Sequence, residues 1–393
     1  MSLSSDDLFE IFSRLPAKAI YRFTCTCMLF SKLPKETYFA FKQAQHARLR
    51  DDSCFFIQPE IPIGVSRWCN LEVEFHPLPG QESSSGVCEK ALAYLYKNAK
   101  ILSSNNGLVL SSVAGENEVN FFISNPATQS CFPIPTPHHI QTSSVYDHNV
   151  GFMCDSDDNF MVYYFFDNLV HWSSNFECKV YTSKEGVWKE KAEIFMTGSR
   201  NLRFDMPVHY RGAVHFISDC SPYLTRNNPY FKPYIMSYNF EDGKSRMLRV
   251  PKEARKGSHD KSCDMRIFTW GKLTDSDQSI CLVRLRKRVF TVWVLTKYES
   301  SSWRKILKIR VKAMRLLEND PSEVGVKDFV VLNGEFLVFI TENKVYVYGL
   351  SDKRIHKFWD RRSEFNFVRF TSYKDTLRTC DIGEKNSSLP SPM

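Results

Sequence analysis

The sequence predicts a multidomain α+β chain. Residues 1–50 read as a small all-α unit, residues 51–380 as an all-β propeller of about six blades, and residues 381–393 as a disordered tail. Three observations predict it. Helical periodicity is confined to the first fifty residues, period-two alternation replaces it from Asp51 onward, and the strands that follow recur in related groups.

In the first part, Leu8, Ile11, Phe12 and Leu15 fall on one face of a helix at i, i+3, i+4 and i+7. Ser4 followed by Asp7 is a Ser-x-x-acid start signal. Asp6, Asp7 and Glu10 add negative charge where the helix dipole favours it. Pro16 lacks an N–H and disfavours helix in Leu15 before it, so this helix stops there. A second apolar stripe runs through Ile20, Phe23 and Cys27, and a third through Leu29, Phe30 and Leu33. Pro34 breaks the chain again, and Glu36–Leu49 carries Phe39 and Leu49 on a last helix. Three or four helices bury too little apolar surface to be comfortable alone, which leaves a face for another protein.

The same stretch resembles an F-box, the motif by which substrate receptors dock a Skp-type adaptor in cullin-RING ubiquitin ligases. The resemblance rests on Leu3, Asp6-Asp7-Leu8, Ile11, Ser13-Arg14-Leu15-Pro16-Ala17-Lys18, Arg22-Phe23 and Cys25-x-Cys27. Two positions depart from the family pattern: Ser4 stands where Pro is usual, and Phe30 where Trp is usual. The resemblance implies adaptor docking through Leu3, Leu8, Ile11, Phe12, Leu15, Pro16, Ile20 and Phe23.

Beyond Asp51, short apolar runs are bounded by Gly, Asn, Asp and Pro. The clearest strands are Cys54–Ile57, Leu71–Phe75, Leu108–Ser112, Val119–Ile123, Phe160–Phe166 and Lys179–Thr182. Ala213–Ile217, Tyr234–Asn239, Ile280–Leu285, Thr291–Thr296, Phe336–Ile340 and Lys344–Tyr348 complete them. Glu89–Ala99 interrupts the series with helical composition. Two kinds of unit alternate about every fifty residues. One places Gly107, Gly212 or Gly334 before an apolar strand, a second strand and a polar turn. The other ends a strand and polar turn on Trp188 or Trp303. Blades of about four strands accommodate this spacing, and a closed ring of them hides their edges. These units resemble the F-box-associated, kelch-like repeat region of plant F-box proteins. Asn106-Gly107-Leu108-Val109, Asn125-Pro126-Ala127-Thr128, Val180–Trp188 and Trp293–Trp303 carry that likeness. The glycines themselves are read as turns needing positive φ and the tryptophans as blade packing.

The chain has 393 residues, with 31 Phe and 17 Tyr to fill a large strand-rich core. No run of apolar residues is long enough for a membrane span, and the acidic start does not suit a signal peptide. Twelve scattered cysteines, without Cys-x-x-Cys or zinc-ligand spacing, read as free thiols of a cytoplasmic and/or nuclear protein. His138-His139 reads as an exposed Pro-rich loop, and Asp155–Asp158 as a solvated turn lacking the EF-hand glycine and glutamate. No phosphate-cradling loop, nucleophile elbow or HExxH pair occurs, so no cofactor and no catalysis are expected.

Charge is uneven. Residues 244–315 hold 20 Lys plus Arg against 6 Asp plus Glu, whereas the whole chain carries +8. Arg284, Arg286, Lys287, Arg288, Lys305 and Lys308 form a candidate basic surface for an acidic or phosphorylated target, Arg284 and Arg286 projecting from one strand face. Together these readings imply a receptor that docks the adaptor, and through it cullin and RING subunits, while the propeller binds an unknown protein substrate. Nucleic acid is the lesser partner, because no recognition helix accompanies the charge. The alternatives are a basic propeller module acting outside the ligase and a propeller enzyme of unknown reaction.

Overall fold

The computed structural model describes residues 4–26, 28–59, 73–82, 99–114, 119–137, 149–154, 159–167, 175–221, 228, 230–271, 278–318, 324–361 and 368–380. Four helices come first: α1 (Ser5–Ser13), α2 (Ala17–Thr24), α3 (Met28–Lys32) and α4 (Thr37–Arg48). A 3₁₀ turn over Leu33–Lys35 carries Pro34 and links α3 to α4. The expected start signal is a full capping box. The Ser4 hydroxyl accepts from the Asp7 N–H at 3.1 Å, and the Asp7 carboxylate accepts from the Ser4 N–H at 3.0 Å.

Next come β1 (Cys54–Pro59) and β2 (Glu74–Pro77), which wait for a partner from the far end of the chain. The first blade is β3 (Ala99–Asn105), β4 (Leu108–Ala114), β5 (Val119–Asn125) and β6 (Ser130–Ile134). The second is β7 (Val150–Cys154), β8 (Phe160–Asp167), β9 (Asn175–Thr182) and β10 (Trp188–Glu190), with β11 (Phe195–Met196) also on β9. The third is β12 (Val208–Tyr210), β13 (Ala213–Ile217), β14 (Tyr234–Asn239) and β15 (Ser245–Arg249). A single helical turn, α5 (Lys252–Arg255), leads to the fourth: β16 (Asp264–Trp270), β17 (Ser279–Arg286), β18 (Val289–Lys297) and β19 (Ser302–Arg310). The fifth is β20 (Asp328–Leu332), β21 (Phe336–Ile340), β22 (Lys344–Gly349) and β23 (Ile355–Asp360). Finally β24 (Val368–Tyr373) pairs antiparallel with β1, so both ends of the chain build the sixth sheet and close the ring.

All neighbours within the blades are antiparallel, and first strands of successive blades meet around the centre. The second and third strands of the blades hold most of the buried positions; β21 is buried at every position and β17 at its first six, whereas β9 is half-buried at five of its eight. Outermost strands such as β19 and β23 alternate between half-buried and exposed residues. Both Trp-ended units fasten one blade to the one before. The Trp188 indole N–H donates to the Pro135 carbonyl just past β6, and Trp303 donates to the Arg249 carbonyl of β15 at 2.8 Å. Gly107, Gly212 and Gly334 all have positive φ, as their turns require. The interrupting segment 89–98, the His138-His139 pair, the Asp155–Asp158 turn and the tail 381–393 lie outside the described residues.

Between blades three and four, His215 of β13 is fully buried. Its Nδ1–H donates to the Val208 carbonyl at 3.2 Å, so Nε2 accepts from the Tyr298 hydroxyl at 2.8 Å. Burial pushes its pKa from 6.5 down to about 4. The unfolded chain therefore takes up a proton that the folded chain refuses as pH falls from 6.5 to about 4. The contribution is full above that window and is lost through it, about 3 kcal/mol for this one histidine. Urea midpoints are expected to drop across the window, and His215→Gln to flatten the drop. An unchanged slope in the variant contradicts the assignment.

Candidate functional site

The helical unit folds around Phe12, Ala17, Ile20, Leu33, Phe39 and Ala40, with Leu8, Phe9, Leu15 and Phe30 packed against them. One further member of this core comes from the other end of the chain: Leu377, fully buried, from the segment after β24. Gln43 of α4 holds both ends of the contact. Its amide N–H donates to the Leu15 carbonyl at 3.1 Å, and its carbonyl oxygen accepts from the Leu377 N–H at 2.9 Å. The Lys374 ammonium donates to the carbonyls of Arg48 and Arg50 where α4 ends. Burial holds that ammonium below the usual lysine range, opposed by nearby Asp52 and Asp51. On its other side the segment is gripped by the first blade. The Asn125 amide donates to the carbonyls of Thr376 and Arg378, and the Thr376 hydroxyl fills the place that a Cβ on Gly107 would take. Residues 374–380 are thus a strap between helices and propeller. Sequence reasoning missed it because nothing in LysAspThrLeuArgThrCys alternates or repeats.

The eight residues expected to dock an adaptor divide sharply. Ile11 and Phe23 are 46% and 40% exposed, Leu8, Leu15 and Pro16 are half-buried, and Phe12 and Ile20 are buried in the unit's own core. Leu3 lies outside the described residues. Phe12 and Ile20 are therefore packing residues: both sit on the inner faces of their helices. Phe12 stacks on Phe30 at 4.4 Å, and Phe23 meets Phe12 edge-on at 5.0 Å, which supports Phe23 from behind while leaving its other side open. Met28 adds a further open apolar side chain at 79% exposure. Phe30, standing where the family has Trp, fills an inward position rather than the open one.

The basic surface needs correction at Arg284. It projects into the fold, only 8% exposed, and its guanidinium donates to the carbonyls of Glu253, Ala254 and Lys256 at 2.9, 3.1 and 3.2 Å. A short helix laid across this face buries it, which alternation along β17 does not reveal. The rest of the set is outside but partly neutralised. Arg286 and Lys287 reach Asp260 at 3.3 and 3.8 Å, while Lys305 and Lys308 flank Glu253 at 2.9 and 4.0 Å. Lys305 holds the Glu253 carboxyl below the usual range. Arg304 and Arg310 on β19 and Lys312 beyond it are exposed and form no ion pair among the described residues. Net positive charge therefore collects along the outer strand of blade four.

The central channel is a cavity of about 500 Å³ lined by β3, β12, β16, β20, β24 and the segment before β12, and charged side chains stand among its apolar ones. Arg203 bridges Asp205 and Asp264 at 3.0 and 3.3 Å, and Arg266 bridges Asp264 at 2.9 Å and also Asp328. The Arg369 guanidinium donates to the carbonyls of Leu102 and Asp205, both at 2.6 Å. These contacts tie β16 to β20 and to the segment before β12, and β24 to β3 and to that same segment. The channel's charges answer one another rather than converging on a common point.

Comparison with known proteins adds the following. Residues 82–324, more than half of the chain, match the family model described as "F-box protein At3g26010-like, beta-propeller". The chain is 22% identical to the F-box protein At5g49610 of Arabidopsis thaliana over 365 residues, covering 90% of this chain and 88% of that one. It is 23% identical to the F-box protein At3g28330 of the same plant over 339 residues, covering 80% and 76%. Among solved structures it is similar to TolB from Acinetobacter baumannii, at 14% identity and a TM-score of 0.44 over 82% of this chain and 66% of that one. A protein of unknown function from Bacteroides caccae matches at 9% identity and a TM-score of 0.40 over 82% and 99%.

Proposed function

We propose, from the premise that this chain belongs to the family of F-box proteins with an At3g26010-like β-propeller, that it is the substrate-recognition subunit of an SCF-type ubiquitin ligase. One observation carries this reading. The helical unit has its inner faces filled, the last place by Leu377, and still leaves Ile11, Phe23 and Met28 open. Exposed apolar side chains on a unit with no remaining internal use for them suit a protein partner. Full burial of each such side chain is worth about 1.5–3 kcal/mol.

In this role the chain contributes proximity and no chemistry of its own. It holds a target beside a ubiquitin-loaded enzyme carried by other subunits, which raises the effective concentration of the reacting groups. The mutual pairing of the channel's Arg and Asp side chains supports a non-catalytic role. The strap supports a rigid one, because the contacts of Gln43 and Lys374 fix the helices against the ring. Targets are met by blade-edge loops and by the basic side of blade four, through Arg286, Lys287 and Arg288 where β17 turns into β18 and through Lys305 and Lys308 with Arg304 and Arg310 on the outer strand β19. Arg284 is excluded by its burial.

The test is co-purification of the tagged full-length chain followed by mass spectrometry. A Skp-type adaptor and cullin are expected in near-stoichiometric amounts. Recovery of nucleic acid or acidic proteins alone, with steep salt dependence and no adaptor, overturns the reading.

A further inference from the structure

The turns that join first to second strands follow one pattern in blades one and five, and blade three departs from it. Blades one and five turn on Asn106-Gly107 and Asn333-Gly334, every residue at positive φ. Asn and Gly tolerate that backbone best. Blade three makes the same turn between β12 and β13 with Arg211-Gly212, at φ +51 and +71. A long side chain held in left-handed backbone points to a use for that side chain. The asparagine turns serve the fold: the Asn333 side chain holds the backbone of Asp52, and the Asn106 carbonyl accepts from the Thr376 hydroxyl. Arg211 is exposed and forms no hydrogen bond or ion pair among the described residues.

Arg211 is nevertheless held in place. Its guanidinium lies over the rings of Tyr210 and Tyr298, 5.3 and 5.7 Å from their centres. Tyr298 is anchored in turn, its hydroxyl donating to His215 at 2.8 Å, and a second guanidinium, that of Arg246, lies 4.8 Å from the centre of its ring. Between this turn and the one that joins β18 to β19 opens a cleft of about 380 Å³, lined in part by Tyr210, Arg211, Lys297, Tyr298 and Glu299. Lys297 is exposed and forms no ion pair among the described residues. Of the carboxylates nearby, Glu299 is paired with Arg246 at 2.5 Å, and Glu241 lies 4.0 Å from where a Cβ on Gly212 would stand. The cleft thus offers two cations that its own carboxylates leave unanswered.

We propose that this cleft seats an unmodified acidic segment of the protein target, with an Asp or Glu carboxylate on Arg211 and Lys297 beside it. The proposal rests on the receptor reading and names the chemistry the receptor selects. A guanidinium presents paired N–H groups that match a carboxylate. Glu299 and Glu241 temper the positive field, which favours a singly charged carboxylate over a doubly charged phosphate. The two rings are taken up by guanidinium groups, so they are poor platforms for the stacked bases of a nucleic acid. In an antiparallel blade the first-to-second and third-to-fourth turns open on one face. Here that is the face where Asn333 holds Asp52 and Thr376 covers Gly107, so the cleft shares it with the strap.

The experiment titrates the full-length chain with fluorescent peptide pools that have degenerate flanks and a fixed central Glu, Asp, Gln, Asn or phosphoserine. The Glu or Asp pool is expected to bind about fivefold or more tightly than its amide counterpart, and the phosphoserine pool no tighter than the acidic ones. Arg211→Asn installs the residue that the equivalent turns carry, so this variant is expected to melt at or above the wild-type temperature while losing that preference. Lys297→Gln is expected to weaken it, and adaptor capture is unchanged in both variants. Amide pools that bind as well as acidic ones, binding confined to phosphoserine, a deoxythymidine decanucleotide that binds more tightly than any pool, or Arg211→Asn affinities equal to wild type each overturn the proposal. A wild-type chain that prefers acidic pools yet captures no adaptor supports the cleft and contradicts the receptor reading instead, which keeps the two failures distinct.

Discussion

Ile11→Asp is expected to abolish capture of a Skp-type adaptor while leaving the chain folded. Ile11 is nearly half exposed on α1 and is not a member of the core around Phe12. A carboxylate there costs the free protein little, because it stays in water. At an interface the same carboxylate would be stripped of water with no cation to answer it, and the apolar burial would be lost as well. A loss of about 2–4 kcal/mol corresponds to roughly 30- to 1,000-fold in affinity. Leu8→Asp and Leu15→Asp are poorer tests, since both side chains pack on the unit's core and a charge there unfolds what it probes. Calorimetric titration of adaptor into wild-type and Ile11→Asp chains, with thermal melts of each, reads both effects. Wild-type affinity in a folded Ile11→Asp chain contradicts the docking assignment.

Ending the chain at Tyr373 is expected to disable the helices at the opposite terminus, whereas ending it at Cys380 keeps every contact described here. Without the strap the helical core loses Leu377, a fully buried leucine whose removal costs about 2–5 kcal/mol. The buried Gln43 carbonyl loses its donor, at about 1–3 kcal/mol. On the propeller side, the Asn125 amide loses both carbonyls it serves, and a gap opens over Gly107. The sum, on the order of 5–10 kcal/mol, is comparable to the whole stability of a domain. Urea unfolding and adaptor pull-down of the two truncations check it. If the Tyr373-terminated chain melts and docks like the Cys380-terminated one, the strap is ornamental.

What the sequence revealed follows the physics of burial. Each strand read from it is the second or third of its blade, such as Ala213–Ile217, Tyr234–Asn239 and Phe336–Ile340, which are strands with those same limits. Neighbours cover those strands on both faces, so they are apolar enough to recognise. First strands line the channel, and β16 (AspMetArgIlePheThrTrp) carries two of the charged side chains paired there, which hides it as a strand. Outer strands such as β23 alternate with solvent-facing residues and read as loops. The helices were legible through their caps and prolines. The site was only half legible, because periodicity marks a face without saying what covers it. Phe12 and Ile11 are adjacent and equally apolar, yet one is core and the other open. Burial of Arg284 and the partnership of Leu377 with Gln43 depend on segments far away in sequence, and no local pattern encodes them.

Hydrogen exchange of the full-length chain with and without a Skp-type adaptor tests the central claim most directly. The account predicts new protection confined to the amides of α1, α2 and α3, around Ile11, Phe23 and Met28, with the blades and the strap unchanged. Protection on the propeller instead, or none at adaptor concentrations that saturate other F-box proteins, contradicts it.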